Sequence, residues 1–484
     1  MQKAGLFKRL MQAFFRKRLP SAPSSEPELN RVLGAFDLTL LGVGAVIGTG
    51  IFVLTGVAAA TQAGPGVVIS FIVAGTACAF AALSYAELSS SIGGCGSAYG
   101  YSYAAFGEVF AWIIGWDLLL EYGVATAAVA NGWSGYFADM MIAIGLPLPE
   151  ALTKGPFAGG IVNLPAVAII LALMGMLIIG IKESARLNAA MVFVKLLAIG
   201  IFIAVAAFNV DPTNWDPFMP FGWFDVLPDG HTVGVLAAAS LVFFAYVGFD
   251  AVSTAVEETK NPQRDAPIGI LASLVFCTII YIIVSGLLTG IVPYTELNVS
   301  SPVAHSLNLL GINWASALVA TGVITGLTTV MLVLYYALTR VILAISRDGL
   351  IPPFFKHVSP KTHTPVRTTV FCGLVMAFMA GFVPLGALAE MVNIGTLTAF
   401  MMVCFGVIVL RFTRPEMPRP FKVPFGITLP VLGVLSCGAL VAFLPDSTHW
   451  RFIAWLGLGM VIYFAYSIRH SRAGENQQAL SKDS

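Results

Sequence analysis

The stretch Leu41-Gly-Val-Gly-Ala-Val-Ile-Gly-Thr-Gly-Ile-Phe52 decides how this chain is expected to fold. It lies in an apolar segment long enough to cross a lipid bilayer, which needs about 20 residues. Within it stand glycines 42, 44, 48 and 50, and each glycine at a helix centre costs about 1 kcal/mol relative to alanine. The helix can therefore unwind here if protein or a cavity surrounds it. Close helix packing on Gly44 and Gly48 is the alternative interpretation.

A second apolar segment carries the same kind of weak point. It reads Val242-Phe-Phe-Ala-Tyr-Val-Gly-Phe-Asp-Ala-Val-Ser-Thr254, with Gly248 near its middle. In the order of apolar segments these two are the first and the sixth. An odd offset of five inverts the second relative to the first, as in transporters built from two inverted halves. We therefore predict helix breaks at Gly48, Gly50 and Gly248.

The composition excludes a soluble protein. Of the 484 residues, 57% are hydrophobic and 11% are charged, against roughly 25% charged in an ordinary globular protein. We predict one membrane domain with about twelve transmembrane helices, the third of which is long and is expected to begin as a separate loop helix. The approximate spans are 37–60, 67–91, 107–136, 163–181, 187–208, 233–256, 268–292, 314–339, 367–384, 388–410, 424–444 and 449–468.

The basic residues predict the orientation. With twelve spans, 23 of the 26 Lys and Arg residues fall on the side of the termini, whereas Lys154 and Arg451 fall on the opposite side and Lys195 lies within a span. Since basic loops stay in the cytoplasm, we predict that both termini are cytoplasmic and that the protein lies in the plasma (inner) membrane. The apolar residues from Leu6 to Phe15 recur at helical spacing among basic ones. They predict either a helix on an anionic leaflet or a disordered basic tail.

The expected domain organisation follows from these spans. A basic cytoplasmic tail (1–33) precedes a ten-helix inverted-repeat transport core (34–412). Two additional transmembrane helices (413–470) and a cytoplasmic C-terminal tail (471–484) complete the chain.

An unwound helix centre provides two new helix ends. The half-helix that begins near Thr49 presents the N–H groups of Gly50 and Ile51, with the positive end of the helix dipole, to an anion such as a carboxylate. At the other break, the carbonyls left unpaired suit an ammonium group and belong to Phe244, Ala245 and Val247. A carboxylate receptor facing an ammonium receptor fits the part that all α-amino acids share, so the pattern predicts an amino acid site.

The segment GVGAVIGTGIFVLTG at 42–56 resembles the first-helix signature of the amino acid–polyamine–organocation superfamily. FFAYVGFDAVSTAVEETKNPQRDAPIGI (243–270) and ISRDGLIPP (345–353) resemble the bacterial branch of its cationic amino acid transporter family, and the likeness runs from about residue 31 to about 469. The resemblance implies an all-α, leucine-transporter-like fold with a 5+5 inverted repeat plus two C-terminal helices. It implies a substrate held between the first, third, sixth and eighth helices. The residues expected at its carboxylate are Ile47, Thr49, Gly50 and Ile51, and those at its amine are Phe244, Ala245 and Val247.

Lys195 is the most unusual ionisable residue within a span. No acid lies within a helical turn of it, and a charge within the bilayer is costly unless it faces protein or water. Snorkelling to the interface is the alternative, but Lys195 lies well inside the fifth span. In the family that the chain resembles, a lysine at the matching place is thought to stand where sodium sits in sodium-coupled relatives. The resemblance implies that it bridges carbonyls of residues 43–47 and hydroxyls of the eighth helix, with Thr328 and Thr329 as candidates. We predict proton symport through Lys195, with the proton as coupling ion and no metal or other cofactor.

Glu121 and Asp117 are four residues apart and lie on one face of the third span. Glu121 is predicted to face the pocket and to attract a cationic side chain or a bridging water. Alternatively it hydrogen-bonds a neighbouring helix while protonated. Asp250 and Glu87 are expected to brace helix ends or the break, and a direct part of Asp250 in coupling is the alternative.

Phe244 is also a candidate gate over the substrate, with a packing role as the alternative. On the eighth helix, Leu334 and Met331 are candidates for the far wall of the pocket. If Leu334 lines the site, it favours small substrates over long ones such as arginine. We predict small neutral L-amino acids such as alanine. A cationic amino acid permease, an exchanger and a uniporter are the alternatives.

Other classes of protein fit the sequence less well. A channel needs a continuous polar or carbonyl-lined pore, and an enzyme needs clustered catalytic groups. The six histidines fall in loops or the tail, and the six cysteines have no metal-ligand spacing,. We predict no enzymatic activity and no nucleic-acid partner, whereas a sensor on a transporter fold is the alternative from another class. Beside the substrate and the lipid bilayer, a small membrane subunit and a homo-oligomer stay open.

Overall fold

A computed structural model describes residues 33–92, 98–179, 185–228, 232–256, 259–360, 362 and 364–471, with the backbone alone for 185–188. The segment from Leu6 to Phe15 lies outside the described residues. A short antiparallel hairpin joins β1 (Asp225–Val226) to β2 (Thr232–Val233). The α-helices of eight residues or more in the described part are α1 (Ala35–Val46), α2 (Val67–Ile92), α3 (Ala98–Ala105), α4 (Glu108–Leu119), α5 (Ala125–Ala143), α6 (Leu164–Ile179), α7 (Ala185–Ala207), α8 (Val235–Val242), α9 (Pro262–Ile291), α10 (Pro302–Leu309), α11 (Asn313–Arg347), α12 (Val366–Phe382), α13 (Leu385–Thr413), α14 (Thr428–Ala442) and α15 (Asp446–Ile462).

Length and hydropathy single out the membrane segments. Among the described residues, four shorter apolar helices (α1, α6, α12 and α14) accompany eight helical segments that are long and apolar enough to cross a membrane. The chain is thus a multi-pass helical membrane protein. The eight segments are Gly50–Ile92, Glu108–Ala143, Ala189–Ala207, Val235–Thr254, Pro262–Ile291, Asn313–Arg347, Leu385–Thr413 and Asp446–His470.

Glycine and proline set several helix ends. Gly64 has a φ of +61°, and Pro65 follows it in the turn that leads into α2. Pro262 occupies the first position of α9, where its missing N–H needs no intrahelical partner,. Gly349, with a φ of +80°, follows the end of α11. Each of these residues supplies a backbone geometry or a missing donor that suits a helix boundary.

The third span differs from the expectation. It does not begin as a separate helix, because α4 continues through a π-helical turn, Leu120–Val124, into α5 as one segment of 36 residues. The separate helix is α3, which lies upstream. Gly107 divides the two, since its φ of +101° interrupts the helical backbone just before Glu108.

Two other helices depart from the predicted spans. α11 continues to Arg347, beyond the predicted end near residue 339, because the two arginines at 340 and 347 interrupt the hydropathy without interrupting the helix. The loop that follows α9 contains α10, a short helix that hydropathy does not reveal.

The packing surrounds the interrupted segments with helices. α9 packs against α1 and α2, and α11 packs against α5 and α7. α1 also contacts α7 and α11. The end of α1 is therefore enclosed by protein, which is the condition for an interrupted helix at membrane depth.

Candidate functional site

The first helical segment is interrupted beside its glycines. α1 ends at Val46, Ile47 is extended (φ −73°, ψ 98°), and Gly48 lies in a bend before the chain becomes helical again. Gly50, which sequence reasoning places at the break, is instead the first residue of a π-helical turn, Gly50–Leu54. The interruption therefore centres on Ile47 and Gly48.

The second interruption follows α8. The chain passes into a 3-10 turn, Phe243–Tyr246, after which Val247 is extended (φ −60°, ψ 130°). Gly248 has a φ of +109°, a conformation that other residues seldom adopt. A Cβ atom on Gly248 would lie 3.2 Å from Cβ of Ala45, in the last turn of α1. Its backbone conformation therefore favours glycine at this position, and the close approach of α1 leaves little room for a side chain.

The two breaks touch each other. A Cβ atom on Gly50 would lie 2.3 Å from Cα of Ala245 and 2.7 Å from its nitrogen. Tyr281 of α9 joins the same elements, because its hydroxyl lies 3.0 Å from the carbonyl oxygen of Val46 and 2.8 Å from that of Ala245. The carbonyl that sequence reasoning assigns to the substrate's amine at Ala245 is thus engaged by Tyr281. Sequence reasoning misses this tyrosine, because a lone tyrosine in an apolar helix has the pattern of a core residue.

A small cavity lies where the breaks meet. Its volume, counted for the centre of a water molecule, is about 10 Å³, so the cavity holds about one water molecule. The predicted substrate residues that line it are Thr49, Gly50, Phe244, Val247 and Leu334. The other lining residues are Ala45, Val46, Gly48, Ala125, Val129 and Val330. Four predicted residues, Ile47, Ile51, Glu121 and Ala245, lie outside this described lining. The side chains that form the wall are apolar except for that of Thr49.

Thr49 offers the cavity a polar group. The residue is fully buried, and its Oγ1 has no hydrogen-bond partner among the described residues. Gly132 of α5 leaves room beside it, since a Cβ atom there would lie 2.7 Å from that oxygen. A buried hydroxyl without a partner is costly, so Thr49 is suited to bind a polar group of a ligand.

Lys195 lies behind the first break. It is fully buried on α7, and its Nζ lies 2.6 Å from the carbonyl oxygen of Gly44 and 3.1 Å from that of Ile47. Both carbonyls fall within residues 43–47, the range that the resemblance implies. Gly326 of α11 lets the lysine approach, because a Cβ atom there would lie 3.0 Å from Cβ of Lys195. The ammonium group therefore holds the last turn of α1 at the point where the helix is interrupted.

The two candidate threonines of α11 have partners of their own. Thr328 Oγ1 accepts a hydrogen bond from Trp133 Nε1 (3.0 Å) and donates one to the carbonyl of Ile324. Thr329 Oγ1 donates to the carbonyl of Gly326 (2.7 Å). A donating hydroxyl can still accept, so the role of either threonine as an acceptor for Lys195 stays a prediction.

Glu121 is not among the described residues that line the cavity. Glu121 lies in the π-helical turn one turn before Ala125, which lines the cavity, and it faces Asp250 beyond the second break. The hydroxyl of Tyr122 donates to Oδ2 of Asp250 (3.1 Å). Asp117, one turn earlier, is buried against Gly395 of α13. These acids form a group of their own beside the cavity.

Hydrogen bonds tie α5 to two other parts of the chain. Tyr136 of α5 donates to the carbonyl of Phe52 (2.8 Å), which ties α5 to the helix that follows the first break. Further along α5, Asp139 accepts hydrogen bonds from Ser300 and Ser301 in the loop before α10.

A buried ionic cluster lies near the end of α2. Glu87, near the end of α2, pairs with Arg411 (Nη2–Oε2 2.5 Å) and with Arg419 (Nε–Oε1 3.4 Å). The backbone N–H of Val423 donates to the same carboxylate (2.7 Å). Glu87 thereby braces the loop that leads to α14, as predicted for a residue at a helix end.

Comparison of the sequence with known proteins shows the family to which the chain belongs. Residues 33–465 match the family model described as amino acid permease. The branched-chain amino acid permease BcaP of Bacillus subtilis (strain 168) is 50% identical over 470 residues, which are 95% of this chain and 99% of that protein. The methylthioribose transporter of the same organism is 49% identical over 469 residues, with the same coverage. The vacuolar cationic amino acid transporter 4 of Arabidopsis thaliana is 38% identical over 391 residues, 80% of this chain and 64% of that protein.

These matches extend across both breaks, Lys195 and the cavity. They also agree with the superfamily that the motifs of the first and sixth spans resemble. The chain belongs to the amino acid permease family of the amino acid–polyamine–organocation superfamily, and it is a membrane transporter rather than an enzyme.

Proposed function

We propose that this permease imports small neutral L-amino acids such as alanine across the plasma membrane by proton symport. The observation that carries the substrate class is the wall of the cavity between the breaks. The Thr49 hydroxyl is available to a polar head, whereas the surrounding side chains are apolar. A desolvated cationic side chain needs a paired charge, and the described lining offers none.

The names of the relatives widen the choice of substrate. One relative at 50% identity is named for branched-chain amino acids, and another at 49% is named for methylthioribose. Branched-chain amino acids are the second candidate, because their side chains are also neutral and apolar. Leu334 limits the length of the side chain that fits, so Leu334→Ala is expected to admit leucine better than the unmodified protein does.

Proton coupling is assigned to Lys195. Its Nζ contacts two carbonyls at the end of α1, and hydrogen bonds from a charged donor are roughly twice as strong as neutral ones. Loss of the proton therefore loosens the turn next to the substrate. This links the protonation of one side chain to the shape of the carboxylate site around Thr49 and Gly50.

The membrane arrangement that we propose has twelve spans in two inverted five-helix repeats and two further helices. The eight long apolar segments and four shorter apolar helices support it. The segment Gly50–Ile92 contributes to two spans, because its first part continues the span that begins with α1 and its second part, α2, is a span of its own. The breaks at Ile47–Gly48 and Val247–Gly248 support the inverted repeat. The distribution of basic residues supports cytoplasmic termini and the domain boundaries given above.

The test is uptake of labelled alanine into proteoliposomes with and without an inward proton gradient. We expect gradient-driven accumulation that excess alanine suppresses strongly, leucine less and arginine least. Methylthioribose is included as a competitor. Lys195→Ala is expected to abolish the response to the gradient, whereas Lys154→Ala, at an exposed lysine paired with Glu150, is expected to leave it unchanged.

The outcomes separate the alternatives. Accumulation that needs amino acid inside the vesicles, rather than a proton gradient, identifies an exchanger. Strong competition by arginine identifies a cationic amino acid permease and makes Glu121 the partner of the side chain. Binding of alanine without accumulation identifies a sensor. Full gradient-driven uptake by Lys195→Ala overturns the coupling role of this lysine.

A further inference from the structure

A second group of buried polar side chains lies beside the cavity, and proton symport through Lys195 does not use it. This group, here called the acidic chamber, joins parts of α2, α3, the helix formed by α4 and α5, and the turn that follows the second break. None of its members is more than 2% exposed. The members are Asp117, Glu121, Asp250, Tyr85, Tyr101 and Ser253.

The protein leaves many of these groups without a hydrogen bond. Eight oxygen atoms of the chamber lack a partner among the described residues, which is half of the sixteen buried side-chain atoms in that state. Both oxygens of Asp117 and of Glu121 are among them, as are the three hydroxyls. Buried polar groups in native proteins are almost always hydrogen-bonded, and ordered water serves where protein does not. The unpaired oxygens of the chamber are therefore candidates for hydrogen bonds to water.

The surroundings of the three chamber acids favour their protonated forms. The carboxyl groups of Glu121 and Asp250 face each other, and neither oxygen of Glu121 has a hydrogen-bond partner among the described residues. Two carboxylates only accept hydrogen bonds, so a bond between them requires a proton on one of the two. The ion pairs among the described residues involve Glu87, Glu150 and Glu390, and none of the chamber acids. Buried carboxylates without a cation are strongly unfavourable.

The groups that face the acids come from each neighbouring element. Tyr85 of α2 and Tyr101 of α3 face Asp250, with their rings 6.1 Å apart. Tyr122 donates to the same carboxyl. α13 meets Asp117 with Gly395, where a Cβ atom would lie 2.7 Å from Oδ1. The titratable neighbours are thus other acids and tyrosines.

We propose that the acidic chamber is a hydrated proton-binding site, separate from Lys195, in which Glu121 and Asp250 share one proton and Asp117 holds another. Water in the chamber hydrogen-bonds to the hydroxyls of Tyr85, Tyr101 and Ser253. Asp250 lies two residues beyond Gly248, whereas Glu121 lies on an intact helix. Movement of the second break therefore changes the distance between the two acids that share the proton.

Infrared spectroscopy of the purified protein in lipid at neutral pH tests this site without substrate or gradient. We expect the carbonyl-stretch band of protonated carboxyl groups, and we expect it to shift in deuterated water because water reaches the chamber. Glu121→Gln or Asp250→Asn is expected to remove one component of the band, and Asp117→Asn the other. Glu390→Gln is the matched control, since Glu390 accepts from Thr448 and lies near Arg451, and it is expected to leave the band unchanged.

Three results would each overturn part of the proposal. A spectrum without protonated carboxyl groups, or a band that none of the three chamber substitutions changes, removes the proton-binding site. A band that does not shift after hours in deuterated water removes the hydration. Glu121→Gln and Asp250→Asn report the same shared proton, so either suffices if the other does not fold. Lys195→Ala is expected to keep the band, which separates failure of this site from failure of the proposed symport.

Discussion

Replacement of Gly50 by alanine tests whether direct backbone contact between the two breaks is essential. The added Cβ atom would lie 2.3 Å from Cα, 2.5 Å from Cβ and 2.7 Å from the nitrogen of Ala245. Two of these three atoms belong to the backbone of the second break, which Tyr281 also holds through the carbonyl of Ala245. No side-chain rotation relieves such contacts, so one break has to move away from the other.

The size of the effect follows from two opposing terms. Forced overpacking of a well-packed interior costs typically about 1–3 kcal/mol, and contacts with backbone belong at the upper end. Alanine in place of glycine within a helix returns about 1 kcal/mol. We therefore expect a net loss of about 2 kcal/mol in the free energy of unfolding, together with uptake close to background, because the cavity lies at the displaced contact.

Thermal unfolding of the purified variant and alanine uptake into proteoliposomes measure both effects. Gly200→Ala is the control, because a Cβ atom on this glycine of α7 would meet nothing within 4 Å, and it should transport normally and be slightly more stable. Adding Ala245→Gly to Gly50→Ala removes only the contact with Cβ, so recovery should be partial at most. Native uptake and an unchanged unfolding temperature in Gly50→Ala would refute the reasoning.

Three further substitutions test single contacts. Tyr281→Phe should lower the initial uptake rate about tenfold, since one hydrogen bond contributes about 1 kcal/mol or slightly more. The control is Tyr335→Phe, because the buried hydroxyl of Tyr335 donates to the carbonyl of Thr369, outside the two breaks. Its uptake rate should stay within about twofold, and equal rates for the two variants would contradict a special role of Tyr281. Thr49→Val should raise KM for alanine several-fold with a smaller change in maximal rate, as saturation kinetics would reveal, whereas an unchanged KM would exclude a contact with substrate. Arg411→Gln should lower the free energy of unfolding by about 3 kcal/mol, because it leaves a buried charge on Glu87 with fewer partners. Glu87→Gln should cost less in the same unfolding assay, and the reverse order would contradict the argument.

The apolar composition and the positions of glycine residues predict most of the architecture. The apolar segments follow from hydropathy, since lipid requires long apolar helices. The two interruptions follow from glycines within apolar segments, and they lie at Ile47–Gly48 and at Val247–Gly248. Hydropathy predicts helix ends less well where a charged residue lies inside a helix. The last turns of α11, for example, continue past Arg340.

The contacts of the site were harder to predict, because they join distant parts of the chain. Tyr281 reaches Val46 across 235 positions, and no local pattern distinguishes this tyrosine from a core residue. Glu121 illustrates a second reason. It lies in a π-helical turn, Leu120–Val124, where the i→i+5 bonding rotates side chains away from the positions that α-helical periodicity predicts. Its carboxyl group faces Asp250, and a role at the pocket stays a prediction, since Glu121 is not in the described cavity lining.

The contacts of Lys195 give an estimate of the free energy that couples its protonation to the opening of the first break. The cavity has room for about one water molecule,, so an amino acid enters only if the breaks separate. Two carbonyls at the end of α1 accept hydrogen bonds from Lys195. A bond from a charged donor is worth about 1 kcal/mol more than a neutral one, so deprotonation weakens the hold on α1 by about 2 kcal/mol. This corresponds to roughly a 30-fold change in an opening equilibrium, which lies within the usual range of coupling between two sites. One buried lysine is therefore sufficient, on energetic grounds, to link a proton to the closure of the first break.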